Sequence, residues 1–247
     1  METLNFKERE MTVQTKMLGI GMTERNVPKV MSGDKTQTRR IEAWLRRIDD
    51  IYDHVDKMFD EENGEVWFRF SVSSDGATAY EDVKPRHQVG DRLYVKEALE
   101  RHEVDHCYEG NDSDYTMYKC DKHVIDRPWE SDDGKTWKNK VIPARYMPRS
   151  AARTFIEITD VRCERIQDIS AEDVVAEGCG CKDCGQPLVP DDGAWACHKC
   201  EWMFTSDLVV LSFSDLWDDT NGKGAWERND WTFAYTFKKV DQCPSIT

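Results

Sequence analysis

The sequence lacks long hydrophobic runs. No apolar stretch of the 247-residue chain approaches the roughly 18 or more residues that a membrane-spanning helix requires. Residues 1–16 are charged and contain no apolar core, which argues against both a membrane anchor and a signal peptide. We therefore expect a soluble, cytoplasmic protein with no membrane partner, and a disordered N-terminal tail over residues 1–16.

Positive charge is also scarce. The chain has 34 Lys and Arg residues against 48 Asp and Glu residues, which gives a net charge of -14. Proteins that coat duplex nucleic acid neutralise many phosphates with Lys and Arg, so this composition disfavours that class. A local basic groove that binds nucleic acid remains compatible with this net charge.

The cysteines do not indicate a disulfide framework, because there are nine of them and four form two closely spaced pairs. The pairs are C-x-x-C motifs separated by twelve residues. This spacing predicts a zinc ribbon over residues 179–205, in which four thiolates leave no open coordination position, so the Zn2+ is structural. The alternative is four unligated thiols, and His198 is the one other residue that could compete for a ligand place. The predicted ligands are Cys181, Cys184, Cys197 and Cys200.

The densest group of polar binding side chains lies in residues 33–40, whose sequence is GDKTQTRR. A short helical pattern over residues 24–31 precedes it, with Thr23 as the expected N-cap and Gly33 as the expected left-handed C-cap. The group therefore leaves a packed element at a fixed angle and suits an anionic or carbonyl-rich partner. The alternative is a basic turn that faces water.

The same segment resembles the G-x-K-T-x-T-x-R signature of the ASCH family, through Gly33, Lys35, Thr36, Thr38 and Arg40. Three further blocks, at residues 89–97, 147–153 and 213–222, follow in the family's order, and the resemblance is closest to the longer, bacteriophage-type members. It covers about half of the chain. It implies an α+β protein with a PUA-like small β-barrel and flanking helices.

The resemblance implies one ASCH/PUA-like domain over residues 17–247. We expect two interruptions in it, the ribbon and an acidic surface excursion at 100–140 with irregular structure and at most one hairpin. The residue patterns predict helices at 41–60, 170–177 and 207–219, and strands at 65–72, 92–96, 153–161 and 231–237. The aromatic residues that alternate along the last strand are interpreted as core, although such a row can also stack bases.

In the amidohydrolase members of the family, the catalytic residues correspond to Lys35, Thr38 and Glu177 of this chain. The resemblance implies that a neutral Lys35 acts as base towards the Thr38 hydroxyl, while Glu177 orients the substrate or passes a proton to the leaving amine. The implied substrate is an N4-acetylcytidine-type nucleoside. We expect these three residues to converge on one concave pocket.

The same residues also suit binding without chemistry, and we favour this hypothesis because the ribbon follows Glu177 directly and can reshape the pocket. The ligand is then RNA, single-stranded nucleic acid or a modified nucleoside. The predicted binding residues are Gly33, Thr36, Arg39, Arg40, Arg149 and Arg153. A third hypothesis, motivated by the acidic segment 100–140, is a phage protein that occupies a nucleic-acid-binding protein of the host.

Overall fold

A computed structural model describes residues 18–48, 52, 54–74, 77–102, 115–125 and 140–241. Within them the protein is mixed α+β, with many strands and few helices, which confirms the predicted class. The helices are α1 (Val27–Ser32), α2 (Ala171–Ala176) and α3 (Ser206–Asn221). The strands are β1 (Leu18–Gly21), β2 (Gln37–Arg40), β3 (His54–Asp60), β4 (Glu65–Ser74), β5 (Ala77–Val83), β6 (Arg92–Lys96), β7 (Leu99–His102), β8 (Tyr115–Tyr118), β9 (Val124–Ile125), β10 (Val141–Ile142), β11 (Phe155–Arg165), β12 (Val189–Asp191), β13 (Ala194–Cys197), β14 (Trp202–Phe204) and β15 (Trp231–Val240).

The central sheet has five strands in the order β1-β6-β11-β15-β2. β1 pairs with β6 in parallel, and the other neighbours are antiparallel. The aromatic residues of β15 are buried, as predicted for a core strand; they are Trp231, Phe233, Tyr235 and Phe237. The described strands form an open sheet whose edges are β1 and β2, so the closed barrel stays a prediction.

The predicted helix over residues 41–60 is wrong. The described part of this segment contains a single 3-10 turn, Leu45–Arg47, followed by β3. β3 pairs with β4, and β4 also pairs with β5, which gives a three-stranded sheet that packs Val66, Phe68 and Phe70 into the main core. Pairing with β4 therefore overrides the helical spacing of the apolar residues in this segment.

A four-stranded sheet, in the order β10-β7-β8-β9, includes the described strands of the acidic segment. β8 and β9 form a hairpin of the kind expected in this segment, while β7 and β10 add regular structure that was not expected. The small core of this sheet contains Leu99, Tyr118, Ile142 and Met147. Residues 103–114 and 126–139, on which most of the acidic-partner hypothesis rests, lie outside the described residues, as does the predicted tail over 1–16.

The ribbon strands form a three-stranded sheet, β12-β13-β14, whose core is continuous with α2 and α3. The predicted cap of α2 is confirmed, because the Ser170 side chain accepts a hydrogen bond from the Asp173 backbone N–H. The predicted cap of α1 is wrong: its N-cap is Asn26 and not Thr23, since a turn precedes the helix and Pro28 lies in its first turn. Among the described residues, no helix is both long and apolar enough to cross a membrane.

Candidate functional site

The segment after α1 is held in place by backbone hydrogen bonds to two other elements. Gly33 ends α1 with a φ of 89°, the left-handed conformation predicted for it. The Lys35 N–H then donates to the Lys29 carbonyl over 3.0 Å, and the Thr36 N–H donates to the Ala176 carbonyl at the end of α2 over 2.9 Å. Gly33 and the exposed Thr36 therefore aim the chain towards the site, and neither lines the cavity described next.

The three residues expected to converge do so in one cavity of about 400 Å3. Lys35 and Thr38 reach it from β2 and the turn before it, and Glu177 reaches it from the C-terminal end of α2. Arg39 and Arg40 line the same cavity. The opposite wall is formed by apolar and aromatic side chains of α3, namely Phe213, Leu216 and Trp217.

Lys35 and Glu177 form a buried ion pair at the base of this cavity. The Lys35 Nζ donates to the Glu177 Oε2 and to the Glu177 backbone oxygen, each over 2.6 Å, and Lys35 is only 2% exposed. Burial lowers the pKa of Lys35, while the Glu177 carboxylate opposes this shift. The arrangement joins the turn before β2 to the C-terminal end of α2 by side-chain as well as backbone contacts.

Arg39 is buried beneath the same carboxylate and is fully engaged by protein groups. Its guanidinium contacts Glu164, donates to the Asp173 Oδ2 over 2.7 Å, and lies 3.3 Å from the Glu177 Oε1. It also donates to the Gln37 side chain over 2.6 Å. The structure therefore places Arg39 as a positioning residue that fixes Glu177.

Arg40 is a half-buried cation of the cavity that is available to an anionic ligand, and the exposed Arg25 also lines the cavity. Its Nη2 donates to the Gly21 backbone oxygen over 2.5 Å. Within the part of the chain that the structure describes, it forms no ion pair with a carboxylate. A half-buried guanidinium without a carboxylate partner is suited to an external anion such as a phosphate.

The predicted binding residues Arg149 and Arg153 do not join Arg40 at the cavity. Arg153 is paired with Glu97 over 2.7 Å and with Asp121 over 2.8 Å, and its guanidinium lies over the Tyr118 ring. Arg149 lies in a 3-10 turn, Arg149–Ala151, and does not line the cavity. Glu97 and Asp121 are distant from Arg153 in the sequence. The sequence alone therefore did not reveal that Arg149 and Arg153 lie outside the cavity.

Trp217 is a site residue that sequence reasoning missed as such. It is 6% exposed and lines the cavity, and its indole Nε1 has no hydrogen-bond partner among the residues described. Its place in an apolar helical pattern indicated only core packing. The signal that could have found it is chemical, because a buried indole N–H normally finds an acceptor.

The four ribbon cysteines are close enough together to hold a metal ion. Their Sγ atoms all lie within 4.8 Å of one another, and the cluster contains no other ligand type among the described residues. The backbone N–H of Cys200 lowers the pKa of Cys197 to about 7, whereas the neighbouring thiols raise the pKa of Cys200 to about 12 and burial raises that of Cys181. His198 is exposed and is not part of the cluster. The geometry is thus compatible with a four-thiolate metal site.

Comparisons of the chain with protein-family models, curated proteins and solved structures found no match. The ASCH resemblance therefore stays a prediction from the motifs. Functional inference rests on the geometry of the cavity between β2, α2 and α3, which we call the β2–α3 cavity.

Proposed function

We propose that this protein is an ASCH-type, PUA-like nucleic-acid-binding protein whose β2–α3 cavity binds one nucleoside unit of RNA or of another single strand, including a modified nucleoside. The observation that supports this most strongly is the convergence of Lys35, Thr38, Arg40 and Glu177 opposite an aromatic wall. Nucleoside sites combine apolar surface for the base with a few fixed polar groups for its edge and its phosphate.

Each group has a distinct role in this proposal. Phe213 and Trp217 supply aromatic surface for the base, and the unpartnered Trp217 Nε1 supplies a hydrogen-bond donor. The Thr38 hydroxyl both donates and accepts, which suits the edge of a base. Arg40 binds the phosphate, while the pairing of Lys35 and Arg39 with Glu177 keeps that carboxylate fixed.

Calorimetric titration with nucleosides and nucleoside 5′-monophosphates tests the proposal. Replacing Thr38 with Val keeps the side-chain shape and removes the hydroxyl, so we expect affinity to fall on the order of tenfold. Thr36→Val is the matched control, because Thr36 is exposed two residues away and outside the cavity. No binding of any nucleoside or nucleotide to the wild-type protein, or equal losses in the two variants, would contradict the proposal.

A second candidate is an amidohydrolase that deacylates an N4-acetylcytidine-type nucleoside. It is favoured by the location of Lys35, whose pKa is lowered by burial, in the same cavity as Thr38 and Glu177. Hydrolysis adds one water across the amide and releases a free amine and a carboxylic acid. Lys35 acts as a base only after its proton has passed from the amine, and Glu177, 2.6 Å away, is placed to accept it.

Incubation of the pure protein with N4-acetylcytidine distinguishes the two candidates. Release of cytidine and acetate by the wild-type protein, but not by Lys35→Met, would establish the enzymatic function. Absence of acetate release together with measurable nucleoside binding would leave the binding function and remove the enzymatic one.

We also propose that the metal held by Cys181, Cys184, Cys197 and Cys200 is a single structural Zn2+. Four thiolates at this spacing form the closed tetrahedral ligand set that zinc prefers. When bound, the ion supplies folding energy to the ribbon, which has few buried apolar residues of its own.

A further inference from the structure

A second cavity, of about 550 Å3, adjoins the β2–α3 cavity. The two share Gly21, Arg40 and Ile41 in their linings, so Arg40 lies at the boundary between them. The second cavity is further lined by Glu42 and Trp44 after β2, and by Arg86 and His87 before β6. We call it the His87 cavity.

His87 lines this cavity and has an unsatisfied, buried polar atom. The residue is 5% exposed, and its Nδ1 has no hydrogen-bond partner among the described residues. Its neighbours are already committed, because the Tyr235 hydroxyl donates to the Glu42 carboxylate and the Tyr235 ring packs edge-on against the His87 ring at 5.4 Å. A buried ring nitrogen without a hydrogen-bond partner lowers the stability of the folded protein unless a ligand or water satisfies it.

The charges around His87 are positive and keep it neutral. Burial, Arg86 and Arg40 together lower its pKa to about 4. A neutral imidazole can hydrogen-bond to a donor or an acceptor at the edge of a base. Glu42, the one carboxylate in the lining, accepts from Tyr235 and from the Arg86 backbone N–H.

We propose that the two cavities together bind two consecutive nucleotides of a single strand. The β2–α3 cavity takes one nucleoside, Arg40 binds the phosphodiester that joins the two, and the His87 cavity takes the adjacent base. His87 Nδ1 hydrogen-bonds to the edge of that base, and Trp44 and the exposed Arg86 offer surfaces for stacking. This inference rests on the proposed function and narrows its ligand from a free nucleoside to an oligonucleotide.

The position of Arg40 is the strongest support for a ligand that spans both cavities. Its guanidinium is fixed by the Gly21 carbonyl and by a contact with the Met22 sulfur at 3.7 Å, and the Glu177 carboxylate attracts it without forming an ion pair with it. A free nucleoside would bring no anion into direct contact with this charge. A phosphodiester between two cavities places an anion at their common boundary.

The test compares three ligands, a nucleoside, its 5′-monophosphate and a dinucleotide that contains it, by calorimetric titration of the full-length protein. We expect the dinucleotide to bind the wild-type protein on the order of tenfold more tightly than the monophosphate. In His87→Phe, which retains a ring and lacks Nδ1, we expect most of this gain to be lost and monophosphate affinity to be unchanged. His54→Phe, at an exposed site on β3, is the matched control and should behave as the wild type.

The outcomes separate this inference from the function on which it rests. Equal affinity for monophosphate and dinucleotide, or a full dinucleotide gain in His87→Phe, would overturn the two-nucleotide site and leave the nucleoside site standing. Failure of every ligand to bind would overturn both. If His87→Phe does not fold by circular dichroism, Arg86→Ala at the exposed rim replaces it, and an undiminished dinucleotide gain in that variant overturns the inference.

Discussion

At the residue scale, the Lys35–Glu177 pair is the contact that most directly links stability to the site. Both side chains are buried, and Glu177 receives Lys35 on one carboxylate oxygen and Arg39 on the other. Removing one partner of a buried pair leaves an uncompensated charge, which costs far more than loss of an exposed pair.

Glu177→Gln should therefore lower the free energy of unfolding by about 3 kcal/mol or more. The reason is that Lys35 stays buried without a carboxylate, while the side-chain shape is preserved. Urea denaturation measures the change. Glu157→Gln is the control, because Glu157 pairs with the more exposed Arg92 and Lys238 and should cost less than about 1 kcal/mol. Equal losses in the two variants would contradict this account of the pair.

His87 should make the free energy of unfolding depend on pH. Its pKa is lowered from 6.5 to about 4 in the folded protein, so between these values the unfolded chain binds more protons and stability rises with pH. From pH 7 to pH 4.5, the wild-type protein should lose about 2 kcal/mol more of its unfolding free energy than His87→Gln. Urea denaturation at the two pH values checks this. The same acid loss in both proteins would show that His87 is not buried in its neutral form.

At the element scale, the ribbon packs against the two helices that contribute to the site, α2 and α3. Cys181 and Cys197 share a core cluster with Val174 of α2 and with Phe213 and Trp217 of α3. Those two aromatic residues also form the wall of the β2–α3 cavity. The ribbon therefore supports the helix that faces Lys35 and Glu177.

We expect one equivalent of zinc in the purified protein, measured by elemental analysis. Cys197→Ser should abolish the stoichiometric metal and weaken nucleoside binding, because loosening the ribbon withdraws support from α3. Cys163→Ser, in β11 and outside the cysteine cluster, should retain both. Absence of stoichiometric metal in the wild-type protein would contradict the zinc site. Unchanged nucleoside binding in Cys197→Ser would contradict the link to α3.

The helix α2 was predicted correctly from local chemistry. Ser170 and Gly178 bound α2 through a side-chain cap and a left-handed residue, and both signals lie within a few residues of the helix. The segment around β3 was mispredicted because its conformation depends on pairing with β4, which a helical periodicity does not contain. This pairing begins across a tight turn at Asp60 and Glu65, so the error was in the period assigned to the segment.

In the candidate site, the residues that depend on local turns were predictable from the sequence, and those that depend on remote partners were not. The signature placed Lys35 and Thr38, and the end of α2 placed Glu177, because each depends on a local turn. Arg153 lies outside the cavity because it forms ion pairs with Glu97 and Asp121, which are remote from it in sequence. The unpartnered nitrogens of His87 and Trp217 become visible only when burial and partners are known.

At the scale of the whole molecule, a net charge of -14 and a site with few available cations predict opposite responses to salt. Added salt should raise the free energy of unfolding by screening self-repulsion. It should weaken dinucleotide binding with a logarithmic slope of about −0.7, since Arg40 contacts one phosphate. Denaturation and titration at several salt concentrations measure the two effects. A binding slope several times steeper would indicate a basic surface outside the two cavities.

The pairing of β2 with β15 also constrains how the protein is made. Gln37 of β2 and Thr236 of β15 hydrogen-bond across 199 residues of sequence, and the described part of β2 has no other strand neighbour. A ribosome releases the signature segment long before it releases the strand that orders it, so the nascent chain carries Lys35 and its neighbours without their sheet. Contacts of such high sequence separation slow folding and expose unpaired strand edges meanwhile. Binding competence should consequently appear only after residue 236 has left the exit tunnel, as a late and abrupt event in biosynthesis.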